Sequence, residues 1–176
     1  MPADIGDPHD VSMGRPGDPA DREAIREAAF RYARGVDRLD VELMKSAYWP
    51  DATDDHGRFV GNGWEFAERV VGTHDRWLTT MHCNMQHAIE FDDADHARGE
   101  IYNMTYLVPR DGGPWSVWLG RYLDRYERRD GEWRIIHRTC VHEATTTIEH
   151  APMTGDMSNF RTGDADRPRG DRPLGT

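Results

Sequence analysis

The segment spanning residues 120–138 limits the possible folds of this chain more than any other stretch. It reads GRYLDRYERRDGEWRIIHR, two runs of alternating aromatic and aliphatic residues on either side of a charged turn at residues 128–131. An Asp-Gly pair between two such runs is a strong signal for a tight β-hairpin. The segment therefore predicts two long antiparallel strands.

The second of these strands places an arginine among residues that favour burial. Strict alternation puts Arg138 on the same face as Ile136 and Cys140, and puts Trp133 and Ile135 on the opposite face. A guanidinium is not deprotonated in proteins, so it cannot become neutral in an apolar site. We therefore expect an inward-facing Arg138 to have a fixed or a bound anion beside it.

Length and composition favour one domain with polar ends. A chain of 176 residues is long enough for one independent core. Residues 1–17 and 151–176 are rich in Gly, Pro and charged residues, and we expect both to be flexible or extended tails. The predicted domain covers residues 18–150.

Charge and cysteine content exclude several classes of protein. The net charge of −10 and the absence of a lysine-arginine stripe argue against a nucleic-acid partner. Cys83 and Cys140 are too few for a disulfide framework, and no CxxC pattern indicates zinc. No apolar run approaches the ~18 residues of a membrane span, and no signal-peptide core is present. The sequence predicts a cytoplasmic protein without a membrane partner.

Periodicity divides the domain into an α-helical first half and a β-rich second half. Asp18 and Pro19 are suited to starting a first helix that ends near Gly35. A second short helix is predicted over residues 41–49, a strand or hairpin over 51–60 with its turn at 54–57, and a third helix from the Asn62 cap to Leu78. Strands follow at about 82–91, 98–109, 115–127 and 132–147. Three helices on a strongly bent antiparallel sheet make an α+β domain, and such a sheet encloses a cone-shaped cavity suited to a small molecule.

Four residues in this arrangement form a chemically sensible set. Asp37 follows the first helix, five residues after Tyr32, and His82 begins the first long strand. A carboxylate that fixes an imidazole tautomer makes the imidazole a better base. A nearby guanidinium such as Arg138 can stabilise the anion that forms when a proton leaves carbon, and Tyr32 can donate to a leaving group or a carbonyl. Taken singly, Asp37 is also explained as a solvated loop residue, His82 as a packed core or surface residue, and Arg138 as part of a structural ion pair.

The hairpin, the segment GVDRLD and the strand MHCNMQHAIEF resemble the SnoaL-like branch of the NTF2-like superfamily. Within this branch the chain is similar to the hexachlorocyclohexane dehydrochlorinases, the bile-acid 7α-dehydratases and, more distantly, the scytalone dehydratases. The resemblance runs from about residue 18 to 147. It implies an aspartate–histidine dyad at Asp37 and His82, an arginine on the last strand at Arg138, and a tyrosine at Tyr32 that the bile-acid dehydratases share. The two tyrosines and the second catalytic histidine of the scytalone dehydratases are not clearly reproduced, and His87 is left without a place, so a second imidazole in the pocket stays an open alternative.

The resemblance implies a cofactor-independent lyase acting on a hydrophobic, cyclic or aromatic small molecule. His82 would take a proton from carbon, Asp37 would orient it, and Arg138 with Tyr32 would stabilise the enolate or the departing hydroxyl or halide. A retro-aldol cleavage that releases a small aldehyde from a lignin-derived aromatic, or an isomerisation, would use the same base. A non-catalytic subunit, such as the β subunit of a ring-hydroxylating oxygenase, is the alternative of a different class.

Two further expectations concern metals and assembly. Histidines at positions 56, 96, 142 and 150 are dispersed without ligand spacing, so no metal site is predicted. The outer face of the sheet carries large residues at alternate positions that would otherwise be exposed, which predicts a homo-oligomer, trimer or dimer, through that face.

Overall fold

A computed structural model describes residues 17–149, 155–156 and 158–159. The predicted tails lie almost entirely outside these residues. The described part contains three helices and six strands, in the order α1 Pro19–Arg38, α2 Val41–Ser46, β1 Tyr48–Asp55, β2 Val60–Asn62, α3 Gly63–His74, β3 Trp77–Phe91, β4 His96–Pro109, β5 Trp115–Arg129 and β6 Glu132–Ile148.

The six strands form one curved sheet in the order β2-β1-β6-β5-β4-β3. All neighbouring strands are antiparallel except β1 and β6, which run parallel. Helix α1 contacts β3 and β6, and α3 contacts β1, so the helices cover one face of the sheet. This architecture confirms the predicted α+β fold. No helix in the described part of the chain is long and apolar enough to cross a membrane.

The first helix begins as expected but is longer than the sequence suggested. Asp18 caps it by accepting a hydrogen bond from the backbone N–H of Ala20 at 2.9 Å. The predicted end at Gly35 is wrong, because the helix continues to Arg38 and Leu39 provides the left-handed cap with a φ of 53°. Gly35 serves packing instead: a Cβ there would lie 2.5 Å from the Cγ of Met44 on α2. Its missing side chain lets the two helices approach each other.

The boundaries around β1 and α3 also differ from those predicted. Helix α2 ends at Ser46, so Trp49 lies in a strand, and α3 ends at His74, so Leu78 lies in β3. The turn assigned to residues 54–57 begins two residues later, since β1 continues through Asp54 and Asp55 and pairs with β6. Asp54 is fully buried there. The local sequence favours a turn at Asp54 and Asp55, but their pairing with Arg138 and Thr139 on β6 keeps both residues in a strand.

The β5–β6 hairpin has the predicted turn and an unexpected bulge. Asp130 and Gly131 form the two-residue connection with φ angles of 51° and 82°, the positive values that a type I′ turn requires. The register then shifts, because Arg125 pairs with His137 whereas Tyr126 pairs with Ile135. The extra residue reverses the alternation along β6. Buried positions therefore fall at 133, 135 and 138, which strict alternation does not allow.

Candidate active site

A cavity of about 290 Å³ lies between α1, α3 and the inner face of the sheet. One part of its wall is apolar, with contributions from Val36, Phe66, Val70, Leu107 and Trp118. The titratable part of the wall contains four histidines and two tyrosines, which are His56, His74, His82, His142, Tyr32 and Tyr122. Such a mixture of apolar surface and a few convergent polar groups is typical of small-molecule sites.

The structure brings Asp37 and His82 together across 45 residues of sequence. Oδ1 of Asp37 lies 2.7 Å from Nδ1 of His82, and Oδ2 accepts the backbone N–H of His82 at 2.9 Å. The hydroxyl of Thr80 donates to Oδ1 at 2.8 Å. Asp37 lies in the last turn of α1, where the helix dipole disfavours negative charge. These three donors offset that effect and hold the carboxylate in one orientation.

This geometry fixes the tautomer of His82. An ionised carboxylate accepts hydrogen bonds and donates none, so Nδ1 of His82 carries the proton shared with Asp37. Nε2 is then the ring nitrogen with a free electron pair, on a side chain that lines the cavity. The side chain of His82 is 9% exposed. The arrangement is that of a general base with an orienting carboxylate.

Tyr32 projects from α1 onto the floor of the same cavity. Its ring packs edge-on against Tyr122, with 5.7 Å between centroids, and its hydroxyl lies 3.2 Å from Nε2 of His56. Burial raises the pKa of the Tyr32 phenol well above its ordinary value, and nearby Tyr122 raises it further. The charge of Arg138 acts in the opposite direction. Tyr32 is therefore a neutral hydrogen-bond donor in this site.

Arg138 lies beneath the cavity rather than on its wall. It is fully buried, and Asp124 on β5 holds its guanidinium with two bonds, at 2.7 Å to Nε and 2.6 Å to Nη2. The rings of Tyr32 and Tyr122 both pack against the guanidinium, each with 4.2 Å from Cζ to the ring centroid. Burial alone would lower the pKa of Arg138, but the Asp124 carboxylate, together with the nearby Tyr48 and Tyr32, outweighs that effect, and the pKa is raised. The anion that the sequence analysis expected beside Arg138 is thus the carboxylate of Asp124, a residue of the protein and not a bound ligand.

A second histidine–carboxylate pair faces the cavity, and the sequence interpretation missed it. Nδ1 of His56 is hydrogen-bonded to Oδ1 of Asp54, whose Oδ2 accepts the hydroxyl of Tyr48 at 2.6 Å. The His56 ring stacks on Phe66 with 4.1 Å between centroids. The signal in the sequence was an Asp-x-His alternation, which on a strand puts both side chains on one face. It was concealed because the four residues 54–57 also suit a turn.

Two more titratable groups on the wall are electrically neutral. Burial is the main cause that lowers the pKa of His74 to about 4, and the neighbouring His82 ring acts in the same direction. Nδ1 of His74 donates to the carbonyl of Val70 at 3.1 Å, which leaves Nε2 as an acceptor. Burial raises the pKa of the Cys140 thiol to about 12, so it is not a nucleophile at neutral pH. Within residues 17–149 and the short described segments beyond them, no three His, Cys, Asp or Glu side chains are placed to hold a metal ion.

Comparison with protein families gives one match over most of the domain. The model of the SnoaL-like domain matches residues 18–139. A comparison with curated proteins found no significant match.

Solved structures with the same fold include proteins named for elimination chemistry. A type 2 hexachlorocyclohexane dehydrochlorinase superposes with a TM-score of 0.70, at 23% identity over 78% of this chain and 95% of that one. A candidate scytalone dehydratase from Novosphingobium aromaticivorans gives a TM-score of 0.66, at 20% identity over 75% and 90% of the two chains. A candidate aromatic ring hydroxylase from the same organism also gives 0.66, at 21% identity over 73% and 94%. At these identities the likeness concerns the fold.

Proposed function

The chain belongs to the SnoaL-like domain family, and we propose that it is a lyase acting on a hydrophobic, cyclic or aromatic small molecule. The observation that carries this proposal is the hydrogen bond of 2.7 Å between Asp37 and Nδ1 of His82, beside a largely apolar cavity. A base of this kind removes a proton from carbon, and the negative charge that develops is expelled with a leaving group.

In the proposed mechanism His82 takes the proton through Nε2. Asp37 holds the ring in the required tautomer and stabilises the imidazolium that forms, as a buried carboxylate does in other histidine-based sites. His82 is only 9% exposed, on a cavity whose wall includes the apolar Phe66 and Val70, so its interaction with Asp37 is stronger than it would be in bulk water. Side chains alone supply the acid and the base, and no cofactor enters the scheme.

Tyr32 and Arg138 are proposed to stabilise the negative charge that develops on the substrate. Tyr32 donates its hydroxyl proton to an enolate oxygen or to the departing group. Arg138 acts through Tyr32, since its fork is held by Asp124 and the phenol ring lies over its guanidinium. Its positive charge favours negative charge on the phenol oxygen, which burial alone would oppose. Arg138 is thus a positioning and electrostatic residue in this scheme.

The same base step is shared by two other reactions. In a retro-aldol cleavage that releases a small aldehyde, or in a double-bond isomerisation, a similarly placed base moves the first proton. A non-catalytic role, such as that of an oxygenase β subunit, needs no paired aspartate and histidine on a cavity wall. The Asp37–His82 geometry therefore supports an enzyme over a structural subunit.

Exchange of a carbon-bound proton tests this function without knowledge of the natural leaving group. α-Tetralone, a bicyclic ketone, is incubated with the protein in D₂O, and loss of its α-proton signal is followed by NMR. We expect exchange by the wild-type protein and a loss of about 10²–10⁴-fold in His82→Gln. His96→Gln is the matched control, since His96 is an exposed residue bonded to Asp93. Equal exchange rates in wild type and His82→Gln would contradict the proposed base.

We also propose that the chain forms a homo-oligomer, trimer or dimer, through the outer face of the sheet. A depression of about 530 Å³ on this face is lined by residues of β3 to β6, including Leu123, which is 39% exposed. Tyr102 on the same face is 48% exposed. Burial of such side chains favours association. Light scattering should give an oligomer for the wild type and a smaller species for Leu123→Glu.

A further inference from the structure

Two residues of β3, Thr80 and His82, form a cradle around the carboxylate of Asp37. They are two positions apart in the strand, so their side chains lie on the same face of the sheet. The hydroxyl of Thr80 and Nδ1 of His82 both donate to Oδ1, at 2.8 and 2.7 Å, and the backbone N–H of His82 donates to Oδ2 at 2.9 Å. Asp37 comes from the last turn of α1, so the cradle also joins a helix to the sheet.

The hydrogen bond from Thr80 differs in origin from the other two. Both of those come from His82, which is the residue that Asp37 has to orient. The Thr80 hydroxyl comes from outside this pair. A β-branched side chain has few allowed values of χ1, so the position of its oxygen is almost fixed relative to the backbone of β3. Thr80 therefore gives Oδ1 of Asp37 a fixed position that does not depend on the ring of His82.

Burial makes this contact resist rotation of the carboxylate. Thr80 is 5% exposed, and in the β3–β4 register it lies opposite Leu107, an apolar residue of the cavity wall. A hydrogen bond to an ionised group is roughly twice as strong as a neutral one. A buried hydroxyl is also unfavourable without a partner. If the carboxylate turned away, the hydroxyl of Thr80 would lose the partner that this geometry gives it.

Thr80 lies behind the proposed base and away from a bound molecule. It is not one of the described residues that line the cavity, whereas the ring of His82 is. The side chain of Thr80 reaches Asp37, and Asp37 reaches Nδ1 of His82. An effect of Thr80 on catalysis must therefore pass through the carboxylate.

We propose that Thr80 is a positioning residue of the base. Its hydroxyl fixes the orientation of the Asp37 carboxylate, which in turn fixes the ring of His82 with Nε2 toward the cavity. The inference rests on the proposed function and adds a third residue to its base. The base is then a Thr80–Asp37–His82 unit in which two side chains hold the third.

A role in packing alone would have different consequences. Valine has nearly the shape of threonine, so Thr80→Val keeps the packing of β3 against α1 and removes only the hydroxyl. If the hydroxyl merely satisfied itself in the core, its removal would leave proton transfer unchanged. If it positions Asp37, its removal slows proton transfer without weakening binding, because Thr80 does not line the cavity.

The first experiment measures exchange of the α-proton of α-tetralone in D₂O over a range of ketone concentrations. We expect Thr80→Val to lower the maximal rate by about 10²-fold, the usual cost of a small misplacement of a catalytic group, and to leave the half-saturating concentration unchanged. Thr80→Ser keeps the hydroxyl and should retain most of the rate. Thr53→Val is the matched control, since the Thr53 hydroxyl also contacts a histidine on a strand, at 2.6 Å from Nδ1 of His137, but does not line the cavity.

Two further measurements show whether Thr80 acts through Asp37. In an Asp37→Asn background the Thr80→Val change should cost almost nothing more, because the carboxylate that it positions is already gone. In proton NMR the Nδ1 proton of His82, assigned by its absence in His82→Gln, should exchange with water faster in Thr80→Val than in the wild type. Thermal unfolding checks that each variant folds.

The outcomes separate this inference from the proposed function. A Thr80→Val protein that exchanges α-tetralone as fast as the wild type would overturn the role of Thr80 and leave His82 as the base. A full further loss in the Asp37→Asn background would do the same, since Thr80 would then act on another group. If Thr80→Val does not fold, Thr80→Ala compared with Thr80→Ser decides the question by the same rates. Wild-type protein that does not exchange α-tetralone rejects the proposed function, and this inference with it.

Discussion

Replacing Asp37 by asparagine should reverse the tautomer of His82. The native carboxylate accepts three hydrogen bonds, two at Oδ1 and one at Oδ2. An amide of the same shape has only one acceptor oxygen. If that oxygen replaces Oδ1, the NH₂ group points at the backbone N–H of His82 and two donors oppose each other. If it replaces Oδ2, the NH₂ group donates to Nδ1, and the ring proton must move to Nε2.

The magnitude follows from the hydrogen bond that one orientation leaves unmade. A buried donor without a partner costs about 1–3 kcal/mol, so the second orientation should dominate by roughly 5- to 150-fold. In that orientation the nitrogen facing the cavity carries a proton and cannot act as a base. α-Tetralone exchange should therefore fall by at least the same roughly 5- to 150-fold. The loss can reach about 10⁴-fold, because an amide does not stabilise the imidazolium that forms. The free energy of unfolding should fall by only about 1–3 kcal/mol, because the hydrogen bonds become neutral ones.

Nitrogen-15 NMR of the imidazole rings measures the tautomer directly. The signals of His82 are assigned by their absence in His82→Gln, and we expect Nδ1–H in the wild type and Nε2–H in Asp37→Asn. Asp40→Asn is the matched control, since Asp40 caps α2 and asparagine caps a helix equally well. A wild-type ring protonated at Nε2, or an Asp37→Asn protein that retains the Nδ1–H form, would refute the reasoning.

Three further predictions concern stability. Asp124→Asn should lower the free energy of unfolding by about 3–5 kcal/mol in urea titrations, because it leaves the charge of Arg138 buried without compensation. Burial lowers the pKa of His87 from about 6.5 to about 4, so between these values the unfolded chain binds more protons than the native one and stability falls as the pH falls. We expect this residue to contribute about 1–2 kcal/mol to that loss, after allowance for its partial exposure, and His87→Gln to remove the contribution. Gly35→Ala should cost about 1–3 kcal/mol in thermal unfolding, since the new Cβ meets both the side chain and the backbone of Met44.

Each of these has an outcome that would contradict it. An Asp124→Asn protein as stable as an exposed control such as Glu23→Gln would show that the Arg138 charge is compensated elsewhere. An unchanged pH dependence in His87→Gln would remove His87 as its source. A fully stable Gly35→Ala protein would mean that α2 can move away from α1 without loss.

The sequence by itself determined the elements whose signals are local. The Asp130-Gly131 turn was predictable because this type of turn requires two residues with positive φ angles. The start of α3 at the Asn62 cap was predictable because a helix needs an acceptor for its first N–H groups. The α+β order followed from the change of hydrophobic period near residue 81. The pairing of Asp37 with His82 came from resemblance to a family, since nothing within a short window links residues 45 positions apart.

Tertiary structure alone decided which charged side chains were buried and what they face. Asp54 and His56 lie in a stretch that suits a turn, and only the parallel pairing of β1 with β6 extends the strand through Asp55. Asp54 is thereby buried, and His56, which directly follows the strand, lines the cavity. The bulge between Arg125 and Tyr126 likewise lets Trp133 and Arg138 both point inward. Burial of a charge depends on whether a partner is present, and that partner is supplied by a distant segment. A local pattern therefore predicts the Asp130-Gly131 turn, the Asn62 cap and the long strands. It does not predict that His56 lines the same cavity as His82.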